Sequence, residues 1–336
     1  MKRAATVALA LMILAGCGGD GGDGKGGVPE AAPTYRLDGT LRLNQIQVLG
    51  THNSYHVAPP AGANLTPERD ITQAPLTVQL ERQSVRQIEL DVHASPGGGS
   101  LSVYHLRGDE GTTCPTLVQC LSEVRDWSAS HRGHLPLFVL VEPKHELGAL
   151  VDGLAVDTEI RSVLRSDQLL TPDDVQGSWP SLRQAVQEGG WPLLGSARNK
   201  IVFVYTDDVI TRLSYTSSET SLQGRAMFVY ADPSSPLAAF ASVPDARLGG
   251  ARIAELIRAG YIVRTRADDG GVEARANDSS RATAALASGA QLVSTDYPVP
   301  APSGYVVPTP GHPARCNPVN APPGIGCTPQ DVENLR

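Results

Sequence analysis

"LPLFVLVEPK", residues 135–144, decides the fold class. Its apolar run is nearly continuous and too short for an ordinary helix. A strand covered on both faces reads this way, and such strands belong to parallel sheets. The run ends in Glu142, Pro143 and Lys144, so polar chemistry gathers at one end. The same form recurs outward along the chain. "IQVLG" (46–50), "RQIELDVH" (86–93) and "LSVYHL" (101–106) precede it. "KIVFVY" (200–205), "AMFVY" (226–230), "YIVRTR" (261–266) and "AQLVSTDYP" (290–298) follow it. Helical patterns fall between them, at 76–85, 116–131, 145–164, 181–188, 250–259 and 278–288. In the second of these, Leu117, Leu121, Val124 and Trp127 share one face. Alternating β/α order with eight strands predicts an α/β fold, a (β/α)8 TIM-type barrel. The alternative is an open doubly wound sheet, but no Gly-rich phosphate fingerprint follows the first strand.

The chain begins with a cationic "MKR" and an apolar "AATVALALMILAG", a secretory leader too short for a membrane span. It closes on "LAGC", Leu14 to Cys17, which resembles the bacterial lipobox. That resemblance implies a signal peptide over 1–16 and lipid on Cys17. The Gly-rich stretch 17–34 reads as a flexible tether. The barrel then occupies 35–336, with a Pro-rich tail over about 299–336 tied by its own disulfide. The expectation is a monomeric exported lipoprotein, membrane-anchored, in the periplasm or at the cell surface. The net charge of -7 and the lack of a basic stripe exclude nucleic acid as a partner. Four cysteines remain after Cys17. Export and close spacing favour the disulfides Cys114–Cys120 and Cys316–Cys327. Zinc is the alternative, without C-x-x-C spacing to support it.

Active residues of such a barrel sit at the C-terminal ends of its strands. Four strand ends here carry the side chains for it: His52 with Asn53, Glu89 with Asp91, His105, and Glu142 with Lys144. Glu89 and Asp91 stand two apart on a strand, so both face the same way. Two carboxylates in a barrel mouth repel each other and resist desolvation, a cost that a divalent cation removes. An oxygen-only set of Asn53, Glu89, Asp91 and Glu142 suits Ca²⁺ or Mg²⁺ rather than zinc. His52 and His105 can give or take a proton at neutral pH. Thr51, Ser54, Tyr55, His56 and His93 are expected as supports. His131, His134, His145 and His312 read as surface or loop residues.

The ordered set "THNSYH", "IELDVH", "VYH" and "LVEPK" resembles the phosphatidylinositol-specific phospholipase C superfamily, especially its Ca²⁺-dependent bacterial members. The likeness runs from "QIQVLGTHNSYH" to "QLVSTDYP". It implies a PLC-like phosphodiesterase barrel, with His52 and His105 catalytic and Asn53, Glu89, Asp91 and Glu142 holding Ca²⁺. It implies a phospholipid or inositol phosphodiester substrate, cleaved by attack of the inositol 2-hydroxyl through a cyclic inositol phosphate. His105 is then the acid at the leaving oxygen. His52 stabilises the phosphorane-like state or assists as base, a part that a carboxylate ligand could also play. Lys144, Arg264 and Arg266 are candidates for phosphate and headgroup binding. Two other readings remain: a glycerophosphodiester phosphodiesterase, whose usual "HRG" is here "HNS", and a non-catalytic inositol phosphate-binding lipoprotein.

Overall fold

A computed structural model describes residues 34–60, 66–95, 98–145, 149–206, 211–307 and 312–333. The leader, Cys17 and nearly all of the tether lie outside the described residues. Eight parallel strands make the barrel: β1 (Ile46–Thr51), β2 (Val85–His93), β4 (Leu137–Pro143), β5 (Ile201–Tyr205), β6 (Met227–Val229), β7 (Phe240–Ser242), β8 (Ile262–Arg266) and β9 (Leu292–Thr295). Two further strands are short. β3 (Ser102–Val103) runs antiparallel on the end of β2, and β10 (Ala314–Cys316) runs antiparallel on β1. Hydrogen-bonded ladders join the order β6-β5-β4-β2-β1-β9-β8-β7. A single parallel bridge, Tyr230 to Phe240, nearly closes the ring between β6 and β7.

The expected number of barrel strands is right, but one member was misassigned. "LSVYHL" is not a barrel strand. Only Ser102–Val103 pairs, and the segment is a side excursion after β2. Its place in the ring is taken by β7, three residues with no long apolar run to mark it. The helix expected over 145–164 spans Gly153–Val163, and that expected over 250–259 begins earlier, at Ala246. Both start behind an aspartate, Asp152 or Asp245, whose carboxylate accepts a backbone N–H two residues on.

Strand periodicity sorts the side chains. On β4, Leu140 and Glu142 line the inner cleft, and Phe138 below them packs edge-on to Phe240 at 6.4 Å. Trp191, Phe228 and Phe240 stack beside it with ring centroids 5.1 to 5.7 Å apart. These aromatics fill the lower barrel, so the polar residues are raised to its C-terminal mouth. Gly50 is required by close approach. A Cβ there would lie 2.0 Å from the Gln87 side chain, which donates instead to the Thr51 carbonyl at 3.0 Å.

The C-terminal tail is more regular than expected. β10 pairs with Ile46–Val48, below the part of β1 that pairs with β2. Beyond it, Glu333 forms a buried ion pair with Arg86 at 2.7 Å. Both disulfides are present as expected, Cys114–Cys120 and Cys316–Cys327. Among the described residues, no helix is long and apolar enough to cross a membrane.

Candidate active site

The carboxylates come first, because the sheet register sets them. Asp91 on β2 lies directly beside Glu142 on β4, and Glu89 sits one inward-facing step below Asp91. Ligand oxygens of all three fall within 4.8 Å of one another. Glu89 and Asp91 are buried, and Glu142 is partly open to solvent. Lys144 Nζ stands among them, 2.9 Å from Asp91 Oδ2 and bonded to Glu142 Oε1. Arg264 reaches across the barrel to Glu89 at 2.7 Å. Burial, with the charges of Glu142 and Glu89, pushes the Asp91 carboxyl well above its ordinary range, and Lys144 only partly offsets this. Burial alone would lower the Lys144 ammonium, but Asp91 and Glu142 outweigh it and raise it.

Neither oxygen of Asp91 makes a well-formed hydrogen bond although both are buried. The Lys144 ammonium, 2.9 Å from Oδ2, offsets only part of the cost of burying this carboxylate beside two others, and a divalent cation would offset more. Asn53 is on the adjoining segment. Ser54 exchanges two hydrogen bonds with the Glu89 backbone, N–H to carbonyl at 3.0 Å and amide to Oγ at 2.8 Å. Asn53 itself is buried with φ 43°, a left-handed conformation that asparagine tolerates better than most residues. Three carboxylates with oxygens within 4.8 Å of one another suit a hard divalent cation, to which Asn53 would add a neutral oxygen.

His52 stands at this mouth and His105 in the excursion after β2, each backed by a carboxylate that the sequence reading missed. His52 Nδ1 donates to Asp296 Oδ1 at 2.8 Å. The reason is register: Thr51 pairs with Thr295, so the residue just past β1 meets the residue just past β9. "STD" at a strand end was the available signal. Arg266 ties this pair down, at 3.1 Å from Asp296 Oδ2 and 3.5 Å from His52 Nε2. Asp268 accepts the backbone N–H of Asp296 at 2.8 Å. Burial drives the His52 imidazole well below its ordinary value. Glu89 opposes this, and Arg266, Arg264 and Lys144 reinforce it. The carboxylate at Nδ1 fixes the tautomer of the neutral ring, with the Nε2 lone pair facing Arg266 Nη1 at 3.5 Å.

His105 lies in the excursion after β3 rather than on a barrel strand. Its Nδ1 donates to Asp109 Oδ2 at 2.8 Å. The turn Leu106–Asp109 folds the chain back to make this contact, with Gly108 at φ 83° where the turn needs a left-handed residue. Burial alone would raise Asp109, but hydrogen bonds from His105 and His56 hold it below the usual range.

The structure thus gathers His52, Glu89, Asp91, Glu142, Lys144 and Arg264 at one mouth. A cleft of about 470 Å³, lined by Glu89, Glu142, Thr206, Tyr230, Ser242 and Arg264, opens beside them. That size suits a small polar ligand. Arg266 is committed to Asp296 and Asp269 rather than turned to the cleft. Two of the histidines expected on the surface or in loops are in loops but turned inward. His145 lines the cleft, because it follows β4 directly, and His134 is buried against Ser128.

Residues 41–108 and 100–318 match the family model described as phosphoinositide phospholipase C, Ca²⁺-dependent. Among solved structures, the chain is similar to the calcium-dependent phosphoinositol-specific phospholipase C of a Gram-negative Pseudomonas sp. in its apo form. The TM-score is 0.61 at 18% identity, over 84% of this chain and 98% of that one. The myoinositol complex of the Pseudomonas protein aligns at TM-score 0.58 and 19% identity, over 82% of this chain and 95% of that one. The Ca²⁺-dependent phosphatidylinositol-specific phospholipase C of Streptomyces antibioticus aligns at TM-score 0.57 and 19% identity, covering 76% and 95%. No curated protein matches the chain in sequence.

Proposed function

Because the chain belongs to the Ca²⁺-dependent phosphoinositide phospholipase C family, and is thereby a phosphodiester-cleaving enzyme, we propose that it splits phosphatidylinositol by attack of the inositol 2-hydroxyl on the adjacent phosphodiester, giving a cyclic inositol phosphate. The observation that carries this reading is the pair of histidines, each with Nδ1 held by an aspartate, in a chain that also gathers a cluster of three carboxylates. An attacking hydroxyl must lose a proton and a leaving alkoxide must gain one, so two separately oriented imidazoles suit an internal displacement.

His52 takes the 2-hydroxyl proton. Asp296 at Nδ1 stabilises the imidazolium it becomes. His105 gives a proton to the diacylglycerol oxygen as that bond breaks. Glu89, Asp91, Glu142 and Asn53 would hold Ca²⁺, which would supply a Lewis acid to lower the pKa of the attacking hydroxyl and screen charge growing on phosphate. Arg264 and Lys144 balance the carboxylates and stand at the edge of the cleft that takes the headgroup. The internal attack gains from proximity, with effective molarities on the order of 10⁵ M or more. Residues 1–16 direct export and Cys17 carries the lipid that keeps the enzyme at a membrane. Incorporation of labelled palmitate that vanishes in Cys17→Ser tests the anchor.

Phosphorus NMR of the reaction tests the chemistry. A cyclic phosphate signal that precedes any acyclic phosphomonoester is the expected result with phosphatidylinositol. Immediate acyclic product, with turnover of glycerophosphodiesters lacking inositol, would transfer the protein to the glycerophosphodiesterase reading.

A further inference from the structure

His105 lacks the support that every other residue of the mouth receives. His52, Glu89, Asp91, Glu142 and Arg264 are on or directly after barrel strands, where ladders on both sides fix the backbone. His105 follows a two-residue strand and precedes a tight turn. His93 at the end of β2 holds the preceding Tyr104, with Nε2 2.9 Å from its carbonyl and the rings stacked at 3.6 Å, and the last residue of "THNSYH" is placed to hold the His105 side chain itself through Asp109. His56 is buried, 2% exposed. Its Nδ1 lies 2.7 Å from the Ile71 carbonyl and its Nε2 lies 3.1 Å from Asp109 Oδ1. The other oxygen of Asp109 takes the His105 proton. Asp109 is thus bridged between the two imidazoles, whose rings meet edge-on with centroids 5.8 Å apart. Arg69, at 3.7 Å, is the further charge facing that carboxylate.

The backbone repeats the connection. His56 bridges Thr112 in antiparallel fashion. Val57 N–H donates to the Gly111 carbonyl at 3.0 Å, and Thr113 N–H to the Tyr55 carbonyl at 2.8 Å. The segment that delivers His52 to the mouth is therefore also the one that clamps the excursion carrying His105.

We infer that His56 is a positioning residue for leaving-group protonation, acting through Asp109 on His105. The inference rests on the reading of His105 as the proton donor. His56 fixes the Asp109 carboxylate, the carboxylate holds the Nδ1–H of His105, and the second proton of the acid form, on Nε2 of the imidazolium, is thereby presented to the leaving oxygen. A positioning error of about 1 Å at a reacting group costs on the order of 100-fold. The loss should appear only where protonation matters.

The test uses Ca²⁺-loaded enzyme, phosphatidylinositol in mixed micelles, and an inositol phosphodiester with a p-nitrophenyl leaving group, which departs without an acid. His105→Ala should slow the lipid at least about 100-fold and the phenyl ester only a few-fold. His56→Ala should lower kcat on the lipid roughly 10- to 100-fold with KM unchanged, and leave the phenyl ester within about threefold. His56→Gln, whose amide can still donate to Asp109, should recover most of the loss. Nitrogen NMR of His105 should show a mixture of tautomers in His56→Ala and one tautomer in His56→Gln.

If His105→Ala discriminates between substrates and His56→Ala does not, His56 has no such role. Equal losses on both substrates, or weakened Ca²⁺ binding in His56→Ala, would mean general damage to the 52–56 segment and overturn the inference. Should His105→Ala fail to discriminate, the acid assignment falls and this inference falls with it. If His56→Ala does not fold, Asp109→Asn must reproduce the leaving-group bias, and an unbiased loss there refutes the clamp.

Discussion

Asp91→Asn separates a metal site from a structural ion pair, because the two predict opposite changes. In the metal-free protein, the Asp91 carboxylate faces two like charges within 4.8 Å and one ammonium at 2.9 Å. At an effective dielectric of about 20, each repulsion is worth at least about 3.5 kcal/mol and the attraction about 5.7 kcal/mol. Relief of two repulsions slightly exceeds loss of the one attraction, and exposure of Glu142 and Lys144 screens both terms. The metal-free variant should therefore be as stable as the wild type, or more stable by about 1 kcal/mol. Calcium reverses the balance. At a ligand distance of about 2.4 Å, one unit of charge against Ca²⁺ is worth about 3.5 kcal/mol even at the dielectric of water, roughly 300-fold in affinity. Asparagine keeps an oxygen, so charge is what changes. At 100 times the wild-type dissociation constant, Ca²⁺ adds about 2.7 kcal/mol to the wild type and about 0.2 kcal/mol to the variant. The wild-type Tm should rise by about 5 to 10 °C between chelator and Ca²⁺, and that of the variant by less than about 1 °C. Differential scanning calorimetry with chelator and with Ca²⁺ reads both. An unchanged Ca²⁺ shift in the variant would refute the site. A metal-free variant several degrees less stable would make Asp91 a structural partner of Lys144 instead.

Further expectations concern the scaffold. Burial holds the His134 imidazole at about 4, below its ordinary value near 6.5. The folded state therefore resists the proton that the unfolded chain accepts, and stability is full above pH 6.5 and lost as pH falls toward 4, by up to about 3 kcal/mol. His134→Gln should flatten that slope in urea unfolding at pH 7 and 4.5, and an unaltered slope would exclude His134 as its source. Glu333→Ala strands the buried Arg86 guanidinium and should cost about 3 to 5 kcal/mol, and a loss under 1 kcal/mol would show the tail to be a passive cover. Cys114→Ser with Cys120→Ser removes a bridge at the end of the segment bearing His105. It should cost about 2 to 3 kcal/mol, visible as a Tm matched by the reduced wild type.

What the sequence determined by itself is the part of the protein that depends on local order. The apolar runs of β1, β4, β5 and β9 are buried on both faces, and that burial leaves a nearly continuous apolar pattern. The spacing of Glu89 and Asp91 put both carboxylates on one face for the same reason, since a strand alternates with period two. The short strand β7 left no such trace, because three residues closing a ring derive their structure from neighbours. The excursion 101–106 left a false one, since two paired residues and four apolar or aromatic ones resemble a strand until their partner is known. The aspartates behind the histidines are the larger omission. Asp296 lies 244 positions from His52 and reaches it through the β1–β9 register. Asp109 meets both His105 and His56 only because a turn and an antiparallel bridge fold one segment onto another. A hydrogen bond needs two atoms within about 3 Å. Sequence supplies the atoms, and only the closed barrel, with its excursion fastened to the first strand, brings them that near.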